Sequence, residues 1–334
     1  MQRVLMSLVF AGLIVPGMSL CVYAAEAAPP PAGEPDDGIM GEYAGDFLPA
    51  ERAKPDKADA KVIGEGGGTF RAVIRTEDGK PALKFSMTGK AEGKTVALVG
   101  KAGDVEWKGV IEGGKTLTAE SKQGKIKLAF TVRRSPTEGQ KPPAGAVVLL
   151  PFEEGKPAVL ADWTNQAWFA LPDGVMQVGR GNTFTKKNFG NVKLHVEFRI
   201  PYMPAARGQG RGNSGVYLQS RYEVQVLDSF GLEPKDNECG GIYSVGAPKA
   251  VASLPPGRWQ TYDITFTAPE VADGKITKPA VITVMHNGIT IHENVKIDHV
   301  TTAGVGGPIV SPAPVMLQDH GNPVQFRNIW LVEQ

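Results

Sequence analysis

From residue 41 to residue 134 the chain repeats one pattern. A short run alternates apolar with polar side chains, and a turn follows about every ten residues. Phe70-Arg71-Ala72-Val73-Ile74, Thr95-Val96-Ala97-Leu98-Val99, Val105-Glu106-Trp107-Lys108-Gly109-Val110-Ile111 and Lys125-Ile126-Lys127-Leu128-Ala129-Phe130-Thr131-Val132 are examples. Turn-forming stretches such as Glu77-Asp78-Gly79-Lys80 and Glu112-Gly113-Gly114-Lys115 separate them. Alternation with a period of two puts one set of side chains on each face of a strand. It predicts a small antiparallel β domain over 41–134, a meander or a small barrel. The lysines occupy the polar positions and read as the solvated face. No aromatic platforms accompany them to stack bases, so they do not form a nucleic-acid surface.

The rest of the chain is also strand-rich. Residues 135–146, which include the Pro/Gly-rich SPTEGQKPPAG, read as a linker to a larger domain over 147–334. Strands are expected at 192–200, 215–227, 261–266, 280–285 and 324–332. No stretch of eleven or more residues carries helical periodicity, and 41 Gly with 26 Pro in 334 residues favour turns over helices. Two facing antiparallel sheets bury that many strands most economically. The expected fold class is all-β, a sandwich preceded by a smaller antiparallel domain.

The N-terminus has a different character. Arg3 precedes residues 4–15, apolar apart from Ser7 and Gly12, and small residues follow at Ala24, Ala25 and Ala27. This reads as a secretory signal peptide over 1–27, cut after Ala24 or Ala27, with a Pro-rich linker over 28–40. The apolar run is shorter than the roughly 20 residues that span a bilayer, and Leu20 is bulky for a lipoprotein anchored at Cys21. The expected location is secreted or periplasmic, with no membrane span in the mature protein. Cleavage leaves Cys239 as the only thiol, hence no internal disulfide, and a lone cysteine is most often a buried small hydrophobe. A net charge of +1 supplies no field for nucleic acid or an anionic membrane. No His-x-x-x-His or comparable spacing marks a transition metal, so no metal or cofactor is expected; a calcium held by Asp and carbonyl oxygens stays open.

Parity locates the candidate chemistry. In 193–200, Leu194, Val196, Phe198 and Ile200 point one way and His195, Glu197 and Arg199 the other. In 216–227, Val216, Leu218, Tyr222, Val224 and Val226 oppose Tyr217, Gln219, Arg221, Glu223 and Gln225, with a bulge or turn near Ser220 able to reset the register. With the apolar faces in the core, the polar faces look outward, and a curved sheet would line a groove with them. Amides, Tyr, Glu and Arg suit a neutral polyhydroxylated ligand; the alternative is a solvated surface with cross-strand ion pairs. The glycine-rich 207–215, carrying Asn213 and Ser214, either approaches a ligand closely or forms a flexible hairpin loop. His286 and His292 flank Asn287-Gly288, a hairpin turn, and read as exposed. His320, in Gln318-Asp319-His320, is either part of a site or a turn-stabilising residue.

Glu197-Phe198-Arg199, Gly212-Asn213-Ser214-Gly215-Val216-Tyr217, Tyr222-Glu223-Val224-Gln225-Val226-Leu227-Asp228, Gly241-Ile242-Tyr243, Gly257-Arg258-Trp259-Gln260 and Leu317-Gln318-Asp319-His320-Gly321 follow one another in this order. Together with Phe326-Arg327-Asn328-Ile329-Trp330 they resemble the 3-keto-disaccharide hydrolase domain family over about 147–333. The resemblance implies a concanavalin-like jelly-roll sandwich, exported and acting on an oligosaccharide or oxidised glycoside. Residues 306–315 look longer than the family's usual lead into the Leu-Gln-x-His-Gly segment. A ketone at C3 acidifies the proton at C2; a base removes it and the enolate expels the glycosidic oxygen at C1. Water addition then gives net hydrolysis, and without it the enzyme is a lyase. Glu223, Glu197, Asp228 and His320 are the acid/base candidates. Arg199 and Asn213 are candidate oxyanion donors, and Ser214, Tyr217, Gln219, Gln225, Gln318 and Asp319 are candidate substrate contacts. A non-catalytic lectin-like module and an ordinary two-carboxylate glycosidase are the competing readings.

Overall fold

The computed structural model describes residues 38–76 and 82–334. The signal peptide, most of the first Pro-rich linker and the turn at Glu77-Asp78-Gly79-Lys80 lie outside the described residues.

The first domain is a closed antiparallel barrel of eight strands, in which Gly41–Pro49 pairs with both Asp56–Gly66 and the last strand, Gly124–Thr131. Tyr43, Val62, Met87, Leu98, Trp107, Leu117 and Leu128 fill its interior, as an eight-stranded barrel is just wide enough to allow. The lysines alternate outward: Lys125 and Lys127 are exposed while Ile126 and Leu128 are buried. In the second strand the inward positions include the small Ala58 and Ala60 beside Val62.

The second domain is the expected two-layer sandwich. One sheet runs in the order Phe169–Leu171, Val175–Gln177, Gln325–Glu333, Val192–Arg199, Trp259–Thr267, Ala280–His286, Ile289–Ile297, with Val147–Leu150 also on Gln325–Glu333. The other runs Thr183–Phe184, Met316–Leu317, Ser214–Leu218, Tyr222–Val226. Val196 and Phe198 from the first sheet and Val216, Val224 and Leu317 from the second share one core. The stretch read as 215–227 is a hairpin: Gln219 and Ser220 both take positive φ, 49° and 58°. The turn keeps odd residues opposite odd, so Tyr217 faces Glu223 and Gly215 faces Gln225.

Two expectations are corrected here. The turn at Asn287-Gly288 is present, but His286 and His292 are buried. His286 continues the inward stripe of Ala280, Ile282 and Val284. Its Nε2 meets Gln260 Oε1 at 3.0 Å, and burial lowers its pKa to about 3, so the ring stays neutral. The His292 ring meets the Gly240 carbonyl at 2.7 Å. Residues 135–146, moreover, do not behave as a free linker. They strap the outer face of the larger sheet. Ser135 Oγ lies 2.6 Å from Thr261 Oγ1, Thr137 Oγ1 donates to Asp263 at 2.7 Å, and the Gln140 carbonyl accepts from Asn328 Nδ2 at 2.9 Å.

Candidate functional site

The outer face of the smaller sheet carries the polar cluster. Tyr217 and Glu223 stand opposite each other on adjacent strands. The Tyr217 hydroxyl donates to the Glu223 carboxylate and accepts from Gln318 Nε2 at 3.0 Å. Gly215 makes room: a Cβ there would lie 2.4 Å from Glu223 Oε1 and 2.6 Å from the Tyr217 ring. Beside this pair three amides converge. Gln209 Oε1 accepts from Asn213 Nδ2 at 3.0 Å and from Gln225 Nε2 at 3.3 Å. Asn213 Oδ1 and Gln225 Oε1 are buried and have no hydrogen-bond partner among the described residues, two acceptors whose pairing is left unmet. Thr301 Oγ1 accepts from the Glu223 backbone N–H at 3.0 Å and seats a further loop at the edge.

Electrostatics single out Glu223. Only 2% of the residue is exposed, and no cation acts on it among the described residues. Burial pushes its pKa up to about 8 despite the Tyr217 hydrogen bond, which pulls the other way. Burial, with the Glu223 charge next, also raises the Tyr217 phenol, so it stays a neutral donor. The arrangement is a carboxyl able to exchange a proton near neutral pH, flanked by fixed donors and unsatisfied acceptors.

The sequence profile described as the 3-keto-alpha-glucoside-1,2-lyase-like domain matches residues 146–332. The chain belongs to this family. That places it among carbohydrate-active hydrolases. A crystal structure of a candidate glycosyl hydrolase from Parabacteroides distasonis shares 34% identity with it, covering 57% of this chain and 85% of that one, with a TM-score of 0.51. A second such structure from the same organism shares 18% identity over 57% of this chain and 94% of that one, with a TM-score of 0.40. No curated protein matches.

Within the keto-glucoside-lyase-like domain, the other candidate residues fall elsewhere. Glu197 and Arg199 were expected to share a groove with Glu223. They lie on the outer face of the other sheet, across the whole core. Glu197 is completely buried under the 135–146 strap: it accepts from Arg327 Nε at 2.7 Å, Asn328 Nδ2 at 2.8 Å and the Gly139 N–H at 2.5 Å. Burial opposes its charge, yet the hydrogen bonds from His195 and Asn328 and the Arg327 guanidinium outweigh it and lower the pKa. His195 itself sits 2.6 Å from Asp263 and is stacked on Trp330. Arg199 donates to Gln325 and lies over the Trp259 ring.

Asp228 is engaged by Arg211 Nε at 2.6 Å, and burial raises its pKa against that pull. Gln219, at the hairpin tip, donates to the Phe189 carbonyl and to Ser311. Ser214 Oγ donates to the Gln318 carbonyl at 2.7 Å. Asp319 accepts from the Gly181 and Gly321 N–H groups and shapes its loop. His320 is exposed, two residues beyond Gln318. Of the sequence candidates, then, the structure gathers Glu223, Tyr217, Gln225, Gln318 and Asn213. Gln209 was missed; its only signal was its place inside the glycine-rich loop. Cys239 is buried, 3.3 Å from the Tyr262 hydroxyl. Among the described residues no group of three or more His, Cys, Asp or Glu gathers to hold a metal, and no helix is long and apolar enough to cross a membrane.

Proposed function

We propose that the protein is exported and cleaves 3-keto-glycosides by proton abstraction at C2 and elimination at C1, with Glu223 moving the proton. The observation that carries this reading is the buried Tyr217–Glu223 pair, a carboxyl without a cationic partner beside a neutral phenol. Ionised Glu223 takes the C2 proton, for which a pKa near 8 makes it a stronger base than an ordinary carboxylate. The C2–H electron pair forms the enolate, whose oxygen accepts hydrogen bonds from Tyr217 or the neighbouring amides. Collapse of the enolate forms a C1–C2 double bond and breaks the C1–O bond. The protonated Glu223 then hands its proton to the departing oxygen. Water adding across C1–C2 completes hydrolysis; release before that step is lyase action.

Support comes from the family match and from the two unpartnered amide oxygens, which suit a polyhydroxylated ring. The export proposal rests on residues 1–27 alone. The test is incubation of purified protein with a 3-keto-disaccharide beside its unoxidised parent, with products identified by mass. Cleavage of the keto sugar alone is the expected result. Cleavage of both would assign an ordinary glycosidase, and saturable binding without products a lectin-like module.

A further inference from the structure

The barrel lies outside the matched family domain, yet it touches the loop that walls the polar cluster. Gln209 sits in a single 3-10 turn, Gly208–Gly210, with an arginine immediately on each side. Both arginines reach the barrel strand Asp56–Gly66. Arg207 Nη2 donates to the Glu65 carbonyl at 2.7 Å and pairs with the Glu65 carboxylate at 2.9 Å. Arg211 divides its guanidinium: Nε holds buried Asp228 at 2.6 Å, while Nη2 donates to the Gly64 carbonyl at 3.1 Å. The contact is close because Gly64 and Gly66, on either side of Glu65, carry no side chains. A Cβ on Gly64 would lie 2.6 Å from the Tyr202 hydroxyl, and one on Gly66 3.1 Å from Ala205 Cα. Nearby, Phe230 of the sandwich is buried among the barrel's own core residues.

We propose that the barrel is a brace for the site: through Arg207 and Arg211 it fixes the 207–215 loop so that Gln209 holds Asn213 and Gln225 in place. Arg207 and Arg211 are positioning residues; neither contacts Glu223. A loop of four glycines between residues 208 and 215 has little stiffness of its own. Three charge-assisted contacts to a rigid strand, made from the two sides of the Gly208–Gly210 turn, remove much of that freedom. The accessory domain thereby becomes part of the machinery that shapes one wall of the cluster. Its effect on turnover rests on the function proposed above; its effect on the loop does not.

Hydrogen exchange of the full-length protein tests the brace. Arg207→Ala removes both contacts to Glu65, together with the local bonds to the Pro204 and Ala206 carbonyls, from a half-exposed side chain. Arg211→Lys leaves a positive charge facing Asp228 but lacks the fork that also reaches Gly64. Backbone amides at 207–215 are expected to exchange about tenfold faster in either variant, the size of one modest hydrogen bond. Barrel amides should exchange as in the unaltered protein in both variants, and the melting temperature should stay unchanged in Arg207→Ala. With a 3-keto-disaccharide as probe, KM should rise several-fold while kcat holds. Should Arg211→Lys fail to fold, Arg207→Ala decides alone. Loop exchange at the unaltered rate in Arg207→Ala overturns the brace, whether or not the probe is consumed. If the unaltered protein leaves the probe intact, the function proposed above fails and the exchange result still stands.

Discussion

Glu197 and Glu223 are both buried carboxyls on the polar side of a strand, and their surroundings drive their pKa values in opposite directions. Glu197 collects Arg327, Asn328, His195 and a backbone N–H, and is held ionised. Glu223 has a phenol and no cation, and is held protonated at neutral pH. The same residue type is thus spent on architecture in one sheet and left available for proton transfer in the other.

Glu223→Gln is expected to lower kcat on a 3-keto-disaccharide by about 100-fold or more, the usual loss for a general acid/base. Its stability should also reveal the raised pKa. In the folded state Glu223 keeps its proton up to about pH 8, whereas the unfolded carboxyl releases it near 4.5. Rising pH across that window therefore favours the unfolded chain. The Gln variant should match the unaltered protein below pH 4.5 and exceed it increasingly up to pH 8. Parallel stability curves across that range would show that Glu223 is not perturbed.

The pH–rate profile of the unaltered enzyme follows from the same group. If ionised Glu223 is the base, kcat/KM should rise with pH and level off above about 8. A rate that falls through this region would reassign Glu223 as the acid. The rising limb should vanish in Glu223→Gln.

Gly215→Ala places a methyl 2.4 Å from Glu223 Oε1 and 2.6 Å from Tyr217 Cε2. Both atoms belong to side chains, so the sheet can remain while the pair is pushed apart. Expected are a loss of stability of about 1–3 kcal/mol from overpacking and a fall in kcat of about tenfold or more from misplaced groups. Unaltered kinetics would show that the spacing of the pair does not matter.

Glu197→Gln should behave in the reverse way. Removing a buried charge from Arg327 typically costs about 3–5 kcal/mol, which calorimetry or urea titration can read. Turnover of the still-folded fraction at low temperature should be close to normal, because the core separates Glu197 from Glu223. A large kcat loss at intact stability would move the site to the other face.

A fragment beginning at Val147 lacks the strap over Glu197, Asn328 and Trp330. It should melt at a lower temperature than one beginning at Ser135, measured side by side. Equal melting temperatures would show the strap to be energetically idle.

The alternation in 125–132 and 192–200 was enough to foresee strands and the sheet faces. Parity also grouped Tyr217, Glu223 and Gln225 correctly, because the turn at Gln219-Ser220 kept odd opposite odd. What parity cannot show is which sheet a strand joins and what later covers its polar face. Glu197 and Glu223 looked equivalent for that reason. The coverings come from afar in sequence, Gly139 over Glu197 and Gln209 over Gln225, 58 and 16 residues away. His286 shows the converse error: its turn was read correctly, but its place on the inward stripe of Ala280, Ile282 and Val284 outweighed its polarity.

The position of Gln325–Glu333 has a consequence for biosynthesis. This strand lies inside the larger sheet, contacting Val147–Leu150, Val175–Gln177 and Val192–Arg199, yet within this chain it is translated last. The barrel can close as soon as residue 131 is available, since its pairings are between neighbours in sequence apart from the closing one. The sandwich cannot, and until Arg327 and Asn328 arrive Glu197 has lost its principal partners. The barrel is therefore expected to form from local pairings, whereas the sandwich closes only through contacts between strands far apart in sequence, a difference that makes the barrel the faster-forming of the two.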